Sequence, residues 1–228
     1  WVEENIWIKT RYFFSDEEDM LSVSCRALEQ AFEQAEWSAS DLDFIILSSV
    51  SSHTEEAAYV VPSLAAAVQS KVKAYNAFAY DFTAACSGWV YAAVQASAFI
   101  KSGVARKGAV ICIEKQRAGI NFRDHRSSVL MGDAAAVTLF ERDADADARA
   151  RLVANRGGDL SHIIRLPCHD ATNPRLAMGY FSLDGRTVFK EGIKVMTEMT
   201  LAALSDNGLN LADVDWFIYH QANGAMLR

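Results

Sequence analysis

One pattern occurs twice in this chain, 172 residues apart, and it constrains the fold more than any other feature. In the first copy an amphipathic helix over residues 21–36 leads through a short polar link to Asp41-Leu-Asp-Phe-Ile-Ile-Leu47. In the second, a helix over residues 191–207 leads through a similar link to Asp213-Val-Asp-Trp-Phe-Ile-Tyr219. Both read as helix, turn, Asp-x-Asp and a buried strand, so the spacing predicts a duplicated fold of two similar halves. Further strands are expected at 77–85, 109–114, 134–140 and 152–155. Continuous apolar strands alternating with helices predict an α/β fold whose sheets are covered on both faces.

The halves are expected at 1–145 and 146–228, joined by Glu141-Arg-Asp-Ala-Asp-Ala-Asp-Ala-Arg-Ala-Arg151. That run is charged and poor in apolar residues, which reads as an exposed connector. It lacks the glycine turn and terminal glutamate that a calcium loop requires. The second half has room for only part of what the first contains, so it reads as incomplete at the C-terminus.

The most consequential single residue is Cys86. Residues 77–85 are short and aromatic, and read as a strand. The run from Cys86 to Ile100 has almost no polar residue, which predicts a helix buried on all sides. Lys101-Ser102-Gly103 supplies a cation and a glycine stop. A thiol at such a helix start faces unpaired N–H groups and the positive end of the helix dipole, both of which favour the thiolate. The Ser87-Gly88 pair lets another group approach the backbone. His220 is the second candidate, because it opens His-Gln-Ala-Asn223 just beyond the predicted strand 216–219. Reactive groups in α/β sheets collect beyond the carboxyl ends of strands, and Cys86 has the same kind of position in the first half. Cysteine and histidine together supply a nucleophile and an acid/base or oxyanion donor.

Composition narrows the setting. The chain has 228 residues, 51% of them hydrophobic, which allows a large core. A net charge of −7 argues against a nucleic-acid surface. No apolar run reaches the roughly 18–20 residues that span a bilayer, and no secretory signal is visible. Four widely spaced cysteines (Cys25, Cys86, Cys112 and Cys168) form no disulfide framework, so a reduced cytoplasm is the expected location. No metal is expected: Cys168-His169-Asp170 has no partner cysteines at zinc spacing and reads as loop. Cys112 reads as strand core, and His53 and His162 have no motif around them.

The motifs together are recognisable. Asp81-Phe-Thr-Ala-Ala-Cys86-Ser-Gly-Trp89 resembles the nucleophile motif of β-ketoacyl-acyl-carrier-protein synthase III, in the thiolase superfamily. Gly132-Asp-Ala-Ala-Ala-Val137 and Leu183-Asp-Gly-Arg-Thr-Val-Phe-Lys190 resemble two further segments of that family, and His220-Gln-Ala-Asn223 matches its histidine motif. The resemblance implies a thiolase-like, duplicated αβαβα sandwich and a condensing enzyme. Cys86 would take an acyl group from coenzyme A or a carrier protein as a thioester. His220 would stabilise the enolate formed when a malonyl thioester loses CO₂, and the carbanion would attack the acyl-cysteine. The backbone N–H of Cys86 would hold the acyl-transfer oxyanion, with Gly88 keeping bulk away. No cofactor is implied beyond the coenzyme A or phosphopantetheine thioesters used as substrates. The implied partners are acyl carrier protein and a second copy of the chain.

Departures from the family pattern bear on substrate. The third catalytic residue, an asparagine in a later loop, has no counterpart before Arg228, and Asn223 matches instead the asparagine inside the histidine motif. Trp1 is matched to a tryptophan that stacks on the adenine of coenzyme A, while the family's stacking arginine aligns with His125. Lys190 matches a basic residue of the carrier-docking face. Val61, 25 residues before Cys86, stands where primer-restricted members carry a phenylalanine that reaches across the dimer to close the acyl pocket. These departures favour a specialised lipid or secondary-metabolite pathway over fatty-acid initiation. The alternatives are a same-fold acyltransferase acting on an amine or hydroxyl, and a non-condensing partner subunit. Intact Cys86 and His220 argue against the latter.

Overall fold

The computed structural model describes residues 1–50, 61–143, 163–165 and 180–228. The chain groups into two units. One comprises Tyr12–Gln116 with Gly132–Ala150, and the other Trp1–Arg11, Arg117–Met131 and Arg151–Arg228. The boundary expected near residue 145, the strand 152–155, His53, His162 and Cys168 all fall outside the described residues.

The first unit is built on a four-stranded sheet. Its strands are β1 (Phe44–Ser48), β2 (Phe78–Phe82), β3 (Lys107–Glu114) and β4 (Ala134–Glu141), in the order β2-β1-β3-β4. β1 runs parallel to β2 and β3, and β4 closes the sheet antiparallel to β3. Three helices cover it: α2 (Met20–Ala35), α3 (Leu64–Val72) and α4 (Gly88–Ser102), the short α1 (Val2–Ile6) belonging to the other unit. All of β1 is buried. Alternate residues of β1 face opposite layers. Ile45 and Leu47 join Ala109, Ile111 and Ile113 of β3 in a core with α2 and α3, while Phe44 and Ile46 join Val110 in a core with Ala92 and Ala96 of α4. Burial on both faces is why these strands are continuous apolar runs rather than alternating ones.

α4 departs from the sequence expectation. It starts two residues after Cys86 and buries only Gly88, Ala92 and Ala96, one stripe at helical spacing. Trp89, Val90 and Tyr91 are exposed. Small residues on the inner stripe let the helix lie close on the sheet, and the outer apolar face has no cover among the described residues. Gly103 ends the helix as expected, in the left-handed conformation.

In the other unit, β5 (Ile164–Arg165) and β6 (Ser182–Leu183) pair antiparallel, and the long helix α5 (Gly185–Asn207) follows. Asp184 caps α5, accepting from Thr187 N and Thr187 Oγ1.

The 172-residue repeat persists in the backbone hydrogen bonds. α2 and α5 both end on a left-handed residue, Glu36 and Gly208, whose N–H donates to the backbone carbonyl of a buried residue, Phe32 and Leu204. Trp37 N and Leu209 N donate to the same two carbonyls at 2.9 Å. A 3₁₀ turn then follows in each copy, Ala39–Asp41 and Leu211–Asp213, with the aspartate accepting from Ser38 N at 2.7 Å and from Asn210 N at 2.8 Å. The copies diverge only afterwards. The expected strand 216–219 is not formed; Trp216 and Ile218 are 83% and 86% exposed. β1 lies between two partner strands, whereas its counterpart has none among the described residues. Strand formation requires a ladder and a packed face, and local preference alone does not supply them.

The motif residue Asp133 fastens the first unit. It is buried, accepts from Gln116 N at 2.7 Å and Phe14 N at 2.9 Å, and donates its own N–H to Tyr12 O at 2.8 Å. Replacing it with alanine would strand two N–H donors, at about 1–3 kcal/mol for each one that water cannot reach. Asp133→Ala should therefore lower the unfolding free energy of the full chain by about 2–4 kcal/mol in urea titration. Asp133→Asn, which keeps one acceptor oxygen, should lose about half as much, and equal losses would mean that the backbone bonds are not the cause.

Candidate active site

β2 delivers the chain to the carboxyl edge of the sheet at Phe82, and Cys86 follows four residues later. Ala85–Ser87 form a 3₁₀ turn, closed by Ser87 N donating to Ala84 O at 3.1 Å, before α4 begins at Gly88. Ala85 has φ +46°, a left-handed conformation that disfavours a residue with a Cβ. The turn is held in that strained form from both sides. Asp81, which opens the motif, accepts from Leu64 N at 2.9 Å and Ala65 N at 2.7 Å and so ties β2 to the start of α3. Beyond the turn, Gly88 is buried against β1. A Cβ added there would lie 2.1 Å from Ser48 Oγ. Gly88 is thus required by the close approach of α4 to Ser48. Trp89 Nε1 donates to Thr138 Oγ1 of β4 at 3.0 Å, a further tie across the sheet.

The Cys86 thiol is free and solvent-accessible, whereas Cys25 is buried. Burial of its surroundings nevertheless pushes the Cys86 pKa up; its own backbone N–H pulls it down, and the charge of Glu114 raises it again. That direction is opposite to the one expected from a helix start. α4 begins after Cys86, and the N–H contribution is outweighed by desolvation and a like charge. Cys112 is held higher still, at about 11, by burial and then by Glu114, and Cys25 is raised first by burial. Cys112 contributes to strand core, as its sequence context implied.

His220 lies in extended chain, not on a strand. Its predecessor Tyr219 is anchored through a 2.8 Å hydrogen bond between its hydroxyl and Thr200 Oγ1 of α5, and stacks on Phe217. Although the residue is largely exposed, burial lowers the imidazole pKa, so the ring is neutral near pH 7. The Asn223 side-chain oxygen accepts from Ala225 N at 2.9 Å and caps the last turn, Gly224–Leu227. His125 and Lys190 are exposed, the latter on the second turn of α5.

Trp1 and Val61 are each 79% exposed. The tryptophan that packs on the chain after the histidine motif is Trp7. Its ring lies against Gly224, where a Cβ would come within 2.6 Å of it, and the Arg228 guanidinium lies 4.2 Å from the ring centroid. Periodicity does not distinguish Trp7 from Trp1, so sequence reasoning missed it. Glu114, Asp81 and Tyr219 were missed for a similar reason: their roles depend on contacts distant in sequence. Among the described residues no group of three His, Cys, Asp or Glu side chains is placed to hold a metal, and no helix is long and apolar enough to cross a membrane.

A cysteine on a strained turn at the carboxyl edge of a mostly parallel sheet, together with a histidine motif behind the second copy of one helix–turn unit, defines a thiolase-like condensing fold. The pattern of the 3-oxoacyl-(acyl-carrier-protein) synthase III family matches residues 80–156, which include Cys86 and Asp133. The β-ketoacyl-(acyl-carrier-protein) synthase III of Brucella anthropi is 30% identical over 227 residues, covering 98% of this chain and 68% of that protein. The solved 3-oxoacyl-(acyl-carrier-protein) synthase III of Aquifex aeolicus is 32% identical with a TM-score of 0.86, covering 99% of this chain and 68% of that one. A priming β-ketosynthase from a polyketide pathway shares the fold with a TM-score of 0.88 at 24% identity, over 100% of this chain and 67% of that one. The chain belongs to the β-ketoacyl-acyl-carrier-protein synthase III family.

Two outcomes test the construction of the Cys86 turn. In the full chain Cys86 should be alkylated well before Cys25 and Cys112, as read by peptide mass spectrometry. Gly88→Ala should slow alkylation of Cys86 and lower stability by about 1–3 kcal/mol, the usual effect of overpacking. An alkylation rate and stability equal to the parent's would show that Gly88 does not seat the turn.

Proposed function

We propose that the chain carries the acyl-loading and condensing groups of a synthase III enzyme, in two thiolase-like halves, 1–145 with the nucleophile and 146–228 with the histidine. The Cys86 thiolate attacks the carbonyl carbon of an acyl thioester; the C–S bond to the donor breaks, and coenzyme A or phosphopantetheine leaves as the thiol after taking up a proton. A malonyl thioester then loses CO₂, and the resulting carbanion attacks the acyl-cysteine carbonyl. Collapse expels the Cys86 thiolate and releases a β-ketoacyl thioester. His220, neutral at working pH, donates an N–H to the enolate oxygen as CO₂ leaves. The observation that carries this reading is the presentation of Cys86: an exposed thiol on a strained turn at the carboxyl edge of the parallel strands, in a chain of this family.

Acyl-CoA, a malonyl thioester and acyl carrier protein are the proposed substrates and partners, a homodimer the proposed assembly, and the cytoplasm the proposed location. Lys190, exposed on α5, suits carrier docking, and exposed His125 remains the proposed counterpart of the family's stacking arginine. Adenine stacking is better supported at Trp7 than at Trp1, because the Trp7 ring is 48% exposed and already bears a guanidinium on one face. Asn223, whose oxygen is engaged in a turn, is assigned to holding the histidine segment.

The roles of the two reactive residues separate in kinetics. Cys86→Ser should abolish acyl-enzyme formation with the fold intact. His220→Ala should still load acyl groups but lose about 10²–10³ in condensation, the worth of one oxyanion donor. Mass spectrometry of the acyl-enzyme and a condensation assay read the two steps apart, and equal loss of both would assign the histidine to thiol activation instead.

Val61 in place of an aromatic gate favours primers longer than acetyl. Its exposure suits a side chain that acts on the pocket of a second copy. Each buried methylene contributes about 0.8 kcal/mol, so four extra carbons favour the longer primer by at most about 3 kcal/mol, before the cost of ordering the chain. Acylation rates for acetyl-, hexanoyl- and decanoyl-CoA should therefore rise with length. Val61→Phe should depress the decanoyl rate selectively, and Trp7→Ala should raise KM for all three donors more than Trp1→Ala does. A flat or acetyl-favouring series would remove Val61 from the account of specificity.

A further inference from the structure

The turn that carries Cys86 rests on β1, and β1 is itself held at that end by a residue of the neighbouring strand. Glu114 is the last residue of β3. One of its carboxylate oxygens accepts from Val50 N at 2.8 Å, and the other from Gln116 Nε2 at 2.9 Å and Ser49 Oγ at 3.4 Å. The two residues it holds directly follow Ser48, whose hydroxyl is the atom that leaves no room for a Cβ on Gly88. Ser48 and Ser49 are both buried, so this end of β1 cannot shift outward to relieve a contact. A continuous path of contacts therefore runs from the Glu114 carboxylate through Val50, Ser49 and Ser48 to Gly88, two residues from the thiol.

We infer that Glu114 is a positioning residue for the nucleophile turn: its carboxylate clamps the end of β1 and thereby sets the seat on which Gly88 and the Cys86 turn rest. The inference rests on the reading of Cys86 as the acylated residue. Charge supports positioning over activation. A negative group near the thiol disfavours the thiolate, and Glu114 does raise Cys86. A carboxylate there works against ionisation of the nucleophile, so its place is accounted for by the hydrogen bonds it accepts.

The test compares three variants of the full chain by single-turnover acylation with an acyl-CoA donor. Glu114→Gln keeps an acceptor oxygen at full reach and removes the charge. Glu114→Asp keeps the charge but withdraws it by one methylene, and Glu114→Ala removes both. Positioning predicts that Gln loads acyl groups at least half as fast as the parent, while Asp and Ala fall about 10–100-fold in rate at nearly unchanged KM, the scale of a roughly 1 Å misplacement. Asp and Gln decide the matter even if Ala does not fold. An Asp variant at the parent's rate with Gln impaired would overturn the inference in favour of a charge role, and parent-like loading by all three would overturn it outright. Cys86→Ser separates the two layers. If it still forms an acyl-enzyme elsewhere, the nucleophile assignment fails whatever Glu114 does; if it is inert while the Glu114 variants load normally, only the positioning inference fails.

Discussion

The architecture of the Cys86 turn follows from one contact, the approach of α4 to β1 at Gly88 and Ser48. A helix can come that near a strand only where one side lacks a Cβ, and the following inward positions are alanines, Ala92 and Ala96, which keep the gap narrow. β1 can serve as the seat because it is the most constrained strand of its sheet, paired on both edges and buried on both faces. The same economy of space recurs at its other end, where Gly108 leaves room for the Phe44 ring; a Cβ there would lie 2.2 Å from it. Phe44 in turn meets Phe99 edge-on and Phe78 at a tilt, joining α4 and β2 to the same core. Fixing β1 fixes the carboxyl ends of β2 and β3, and hence where Cys86 and Glu114 stand.

Electrostatics at the thiol distinguishes presentation from activation. An N-terminal helix dipole is worth about 0.3–1 kcal/mol at an exposed site, while one unit of pKa corresponds to about 1.4 kcal/mol. A modest desolvation together with one nearby carboxylate therefore outweighs the dipole, and in this chain the balance at Cys86 goes that way. The fold presents a thiol without ionising it. A catalytic cycle beginning from the neutral thiol needs an acceptor for the Cys86 proton. The strained backbone at Ala85 belongs to presentation as well, since it directs the chain from strand to helix within a few residues.

Much of this was legible in the sequence where the determinant is local. The glycine stop of α4, the two capped 3₁₀ turns and the strands β2, β3 and β4 all carry their causes in neighbouring residues. Motif positions were legible as motifs, but their physical work was not. Asp81, Asp133 and Asp184 all accept backbone N–H groups, the first two from segments far off in sequence. No spacing rule finds the partner of such a side chain. Helix α4 shows the complementary limit. Its all-round apolar composition predicted burial on every side, yet composition states what a face can do and not whether something covers it. The place of Trp7 was illegible for the same reason, because it is contact with Gly224 and Arg228 that distinguishes it.

The two copies of the helix–turn unit separate local from tertiary control within one molecule. Up to the aspartate of the Asp-x-Asp pair, nearly every backbone bond of the first copy has its counterpart 172 residues on, although Glu36 and Gly208, or Ser38 and Asn210, are different residues. Caps and turns need only a left-handed residue, a side-chain acceptor and a buried anchor, and both segments contain them. Beyond that point the segments diverge, although each is strongly apolar. Phe44 and Ile46 are sealed between strand neighbours and helices, while Trp216 and Ile218 at the same offsets face solvent. His220 falls at the offset of Ser48, the residue that seats the Cys86 turn in the first unit. The same offset thus carries a buried packing residue in one copy and an exposed histidine in the other. With no ladder to hold it among the described residues, the His220 segment is held by the Tyr219–Thr200 hydrogen bond and the capped turn at Asn223. The first of these contacts, rather than sheet register, ties the histidine segment to α5, and the second shapes the turn that follows it.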